Sequence, residues 1–122
     1  MNLLKPILVL IGITAIFIIL GFALVVMRFI LKAQIPTEAG NKMMQNPNGM
    51  KELEVHIRNI KAEAAYFFEN NGERTMVFIV NMERTDQMAV FAEPLFMMGA
   101  KVEFHPVMLL EDLKRAGESM KK

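Results

Sequence analysis

The run from Pro6 to Val26, PILVLIGITAIFIILGFALVV, is 21 residues long, carries no charge and has one hydroxyl, that of Thr14. Crossing about 30 Å of hydrocarbon takes roughly 20 consecutive apolar residues, so the run reads as a single membrane span. Gly12 and Gly21 do not oppose this, because glycine is common in membrane helices. The Gly12–Ala15 spacing offers a second helix a place to approach closely. The competing reading is a cleaved signal peptide, with Lys5 as its charged start and Gly21-Phe22-Ala23 as a small-residue cleavage site. Leu24, Val25 and Val26 prolong the apolar run past that site, which favours an uncleaved anchor over residues 1–26. Arg28, Lys32 and Lys42 follow the run, against Lys5 and the amino terminus before it, a margin of one charge. The positive-inside rule therefore leans toward a single-pass protein with its domain on the cytoplasmic side.

Beyond the run the character changes. Of the chain's 14 basic residues only Lys5 precedes Met27, and all 13 acidic residues follow it, so residues 27–122 are formally neutral. A neutral domain gives no electrostatic reason to expect nucleic acid, whose binding normally needs a basic face. The absence of cysteine excludes disulfides, thiolate catalysis and zinc–thiolate sites. His56 and His105 are too few for a histidine metal cage, and no cofactor is expected. Twelve methionines read as adaptable core filling, with no Met-x-x-Met repeat to suggest copper.

Alternation marks the first strand. In MRFILKAQI, residues 27–35, Phe29, Leu31, Ala33 and Ile35 share one wholly apolar face, while Arg28, Ile30, Lys32 and Gln34 share the other. Pro36 ends it. Thr37 and Glu38 open a short turn or helix that Asn46-Pro47-Asn48-Gly49 breaks. Met50, Leu53, Ile57 and Ile60 then recur at helical spacing, with His56 assigned to the exposed side or the edge. Asn71-Gly72 between AAYFF and RTMVFIVNM is a strong hairpin signal. Thr85-Asp86 offers a cap for a second long helix carrying Met88, Phe91, Leu95 and Met98, with Pro94 inside it and Gly99 after it. AKVEFHPV, residues 100–107, reads as the last strand, and residues 109–116 as a closing helix stopped by Gly117.

The resulting order is strand, helix, strand, strand, helix, strand, helix. That is an α+β, ferredoxin-like βαββαβ(α) pattern over residues 27–118, with a frayed tail at 119–122. It implies a four-stranded antiparallel sheet with both long helices on one face. The other face then needs cover, for which face-to-face pairing of two copies is the expected solution.

The stretches MRFILKAQIPTEAGN (27–41), AEAAYFFENNGERT (62–75) and AEPLFMMGAKVEFHPVMLLEDLKRA (92–116) resemble a family of small, functionally uncharacterised bacterial proteins of the dimeric α+β-barrel group. The resemblance implies a ferredoxin-like fold and a homodimer, and it supplies no reaction. Two departures stand out: the apolar amino-terminal run is not typical of the family, and Ala62 stands where proline is expected.

On the last strand Lys101, Glu103 and His105 share a face. With that strand beside the first, Arg28, Lys32 and Gln34 join them on the open side of the sheet. Glu103 and His105 are candidates for an acid/base pair. Arg28, Lys32, Tyr66 and Glu93 are candidates for ligand binding. The competing interpretations are ordinary cross-strand ion pairs lining a dimer contact, a packing tyrosine and a solvated helix glutamate. Three functional readings follow. The first is a membrane-anchored, dimeric small-molecule-binding or protein-interaction module. The second is an enzyme working through His105 and Glu103. The third is an accessory subunit held beside a larger membrane protein.

Overall fold

The computed structural model describes residues 26–121. The anchor expected at residues 1–26 lies, apart from Val26, outside the described residues. Among the described residues no helix is long and apolar enough to cross a membrane. The chain forms β1 (Met27–Ile35), α1 (Thr37–Gln45), α2 (Gly49–Asn59), β2 (Ala64–Asn70), β3 (Glu73–Met82), α3 (Gln87–Met97), β4 (Lys101–Pro106) and α4 (Leu110–Ser119). It is an α+β domain with one four-stranded sheet in the order β2-β3-β1-β4, every neighbouring pair antiparallel.

β1 occupies the span that alternation assigns to it, and its two faces part as the side chains require. Leu31, Ala33 and Ile35 are buried, and Lys32 and Gln34 are half-buried on the other side. From β3, Met76, Phe78, Val80 and Met82 join the buried face. α2 adds Leu53, and α3 adds Phe91 and Leu95. Both long helices therefore cover one face of the sheet, and the core lies between. The β2–β3 connection is a two-residue hairpin in which Asn71 and Gly72 both have positive φ, 54° and 79°. This is the primed turn whose twist matches that of the strands.

Several expectations are corrected. The short turn or helix expected from Thr37 is the nine-residue α1, so two helices connect β1 to β2 where the strand–helix order counted one. Asn46 to Asn48 form a turn between them, Gly49 already belongs to α2, and its N–H donates to the Asn46 carbonyl at 3.0 Å. His56 is buried rather than exposed or marginal. Its Nε2 lies 2.9 Å from the Phe91 carbonyl, which can only accept, so Nε2 carries the proton and ties α2 to α3. Met50, assigned to the apolar stripe, is exposed; the buried stripe is Leu53, His56 and Ile60. No side chain caps α3 at Asp86. Instead Gln87 Oε1 accepts the N–H groups of Glu83 at 2.7 Å and Arg84 at 3.0 Å. α4 runs through Gly117 to Ser119, because glycine without positive φ weakens a helix without stopping it.

Gly49 is fixed by space. A Cβ there would stand 2.4 Å from the Met43 carbonyl oxygen, whereas one at Gly117 would meet nothing within 4 Å. Gly49→Ala should therefore lower the denaturation midpoint measurably, and Gly117→Ala should leave it unchanged or raise it. Phe78→Ala, which empties a fully buried site, should cost about 3–5 kcal/mol. Circular dichroism during chemical denaturation compares the three.

Candidate functional site

Among the described residues no helix contributes to the buried core from the second face of the sheet, where Thr75 of β3 is buried and its neighbours are half-buried or exposed, and the chemistry of that face is graded across the strands. The register aligns three rows of side chains: Ala64–Ile79–Ile30–His105, Tyr66–Val77–Lys32–Glu103, and Phe68–Thr75–Gln34–Lys101. Each row runs from an apolar or aromatic residue on β2 to a polar or charged residue on β4. The gradient follows from sequence, because β2 contributes AAYFF and β4 contributes the alternating K-x-E-x-H. Tyr66 is 61% exposed and Phe68 46% exposed, which is high for aromatic rings on a sheet face.

At the β4 edge Glu103 sits between two partners. Lys32 Nζ lies 3.6 Å from its Oε2, and His105 Nε2 lies 3.8 Å from its Oε1. Both distances are too long for a hydrogen bond. The Glu103 and His105 side chains are each more than half exposed, so each pairing is worth no more than about 1 kcal/mol. The group can present charge to a partner or ligand. It is open to water, which weakens the electrostatics that acid/base catalysis depends on.

A second ion pair stands where the sheet begins. Arg28 Nη2 donates to Glu63 Oε1 at 3.0 Å, and Asn81 Nδ2 donates to the same oxygen at 2.6 Å. These donors, Asn81 first and Arg28 second, hold the Glu63 carboxyl below its ordinary value of 4.5. Glu63 and Asn81 were not among the sequence candidates. Their separation from Arg28 along the chain is bridged only by the strand register, which no local pattern reveals.

The structure thus gathers Arg28, Lys32, Tyr66, Glu103 and His105 on one face. Glu93 is separate, exposed on α3 in the layer behind the sheet. Among the described residues no group of three or more acidic or histidine side chains could hold a metal ion. A groove of about 340 Å³ lies between α1, the start of α2 and the α3–β4 turn, lined by Met43, Glu52, Met97 and Met98 among others. It belongs to the helical layer and includes none of the candidates.

No protein-family model and no curated protein matches the chain. Among solved structures, a crystal structure of an unknown protein from Galdieria sulphuraria is similar at 11% identity with a TM-score of 0.45. The match covers 70% of this chain and 47% of the other, so the chain spans about half the length of that protein. At that level the likeness adds nothing to the argument.

The shift at Glu63 fixes the sign of a pH effect. A carboxyl held below its unfolded value stabilises the fold above about pH 4.5, and the contribution is lost as pH falls through the folded value. Glu63→Gln should therefore be less stable than the natural chain at pH 7, with the gap narrowing toward pH 3. Urea denaturation at the two pH values measures it.

Proposed function

We propose that this chain is a membrane-tethered interaction module whose open sheet face pairs with a second copy of itself. The observation that carries the reading is the exposed aromatic strip of Tyr66 and Phe68, continued by half-buried Val77, Ile79 and Ile30. A contiguous apolar surface of this kind is characteristic of interaction sites. The graded rows favour a partner with an apolar half and a charged half, which a second copy of the same face supplies. In such a pair Arg28, Lys32, Glu103 and His105 would line the space between the sheets, where a small polar ligand would bind.

The tether rests on the uncharged run at residues 6–26. The ferredoxin-like assignment rests on the order β2-β3-β1-β4, in which the helix-bearing connections each pass over one intervening strand. The catalytic alternative has the 3.8 Å approach of His105 to Glu103 as its support. Their exposure makes binding the stronger reading.

The test is the mass of the full chain in detergent micelles, measured by light scattering with the detergent contribution subtracted. The natural chain should run as two copies, and Phe68→Asp as one copy with an unchanged circular dichroism spectrum. A single copy of the natural chain at every concentration would overturn the proposal.

A further inference from the structure

We infer that α4, together with the end of the sheet from which it departs, is a lipid-contacting surface lying on the same bilayer that the amino-terminal run enters. The inference rests on the tether reading above and adds which side of the domain meets the membrane.

Position is the first support. The uncharged run ends at Val26, and β1 begins at Met27 with no intervening linker. β4 returns antiparallel beside β1, and its last pairing brings the Val107 N–H to the Arg28 carbonyl at 3.0 Å. Arg28 is two residues from the end of the run, within roughly 7 Å along an extended chain. α4 starts three residues after Val107, within roughly 10 Å of that point by the same reach. The first turn of α4 is thus tied to the place where the chain would leave the membrane.

The helix itself is the second support. Leu109, Leu110, Leu113 and Met120 are all more than half exposed, and with Ala116 and Gly117 they fall on one stripe at helical spacing. None of the α4 residues is buried. Its local bonds are polar: the Asp112 carboxylate accepts the Leu109 N–H at 2.8 Å and pairs with Arg115. Ten residues make a marginal helix in water without a partner for the apolar face. A helix lying in the membrane interface gains that partner while its charged side faces water.

The third support is what surrounds the junction. Val26, Met27, Met88 and Met108 are exposed there, and a small cleft of about 80 Å³ between Met27, Phe29, Met82 and Met88 opens at the same end. The charges of α4 and its tail are mixed and nearly balanced, with Glu111, Asp112 and Glu118 against Lys114, Arg115, Lys121 and Lys122. Contact would therefore be driven by apolar burial, not by anionic lipid. A helix already held at the surface needs little intrinsic affinity, because the tether raises its effective concentration there.

The chain has no cysteine, so single-cysteine variants carry one label each. Leu113→Cys and, at the far end of the domain, Gln45→Cys are labelled with an environment-sensitive fluorophore in the full chain and reconstituted into phosphatidylcholine vesicles. Nitroxide-bearing lipids should quench the label at position 113 at least about threefold more than the label at 45. Leu110→Cys should repeat the result at a second position. Equal quenching at 113 and 45 in protein that survives carbonate washing overturns the inference and leaves the tether standing. Release of the protein by carbonate overturns the tether and the inference with it. A label at 113 that is shielded without lipid quenching, increasingly so at higher protein density, assigns α4 to a second copy and overturns the lipid contact.

Discussion

The whole arrangement depends on β1 being a central strand with two unlike faces. Hydrogen-bonded to β3 on one side and β4 on the other, it cannot rotate without breaking both ladders. A slip of one residue would turn Phe29, Leu31, Ala33 and Ile35 away from the helices and push Lys32 into the core. The apolar set has four members against one, Ile30, on the other side, so the register is strongly specified. Once it is, the helices can pack on only one face. The opposite face is left with an edge of aromatics on β2 and an edge of charges on β4.

Much of this was legible in the sequence because it is local. The alternation of β1, the Asn71-Gly72 turn and the two long helices each declare themselves within about ten residues. What was not legible depended on partners distant in sequence. His56 falls three residues after Leu53 and four before Ile60, on the apolar stripe, but its polarity argued for the surface. Only the Phe91 carbonyl on α3 makes its burial acceptable. Glu63 gave no signal, since its two donors come from strands 35 and 18 residues away. At the start of α3 the Asp86 carboxylate accepts from Arg84 Nε at 3.0 Å and leaves the helix without a side-chain cap.

The candidate site divides in the same way. That Arg28, Lys32, Glu103 and His105 share a face follows from alternation and from placing the last strand beside the first. Glu93 is on a helix behind the sheet, and a helix residue next to Pro94 has no pattern that fixes its distance from a strand. The exposure of Tyr66 was equally out of reach, since AAYFF offers an aromatic to each face. What the geometry adds is proportion. Ion pairs in the open contribute little, whereas exposed aromatic rings flanked by half-buried aliphatic side chains are costly to leave in water. The energetic reason for the open face to acquire a partner is therefore apolar, and the charges orient that partner.

Tyr66 reports on this directly, because the chain contains one tyrosine and no tryptophan. Acrylamide quenching of its emission, measured on the natural full-length chain in detergent across a dilution series, tests whether the open face is covered. The account predicts shielding at high protein concentration that is lost on dilution. Emission as quenchable as that of free tyrosine at every concentration would contradict it.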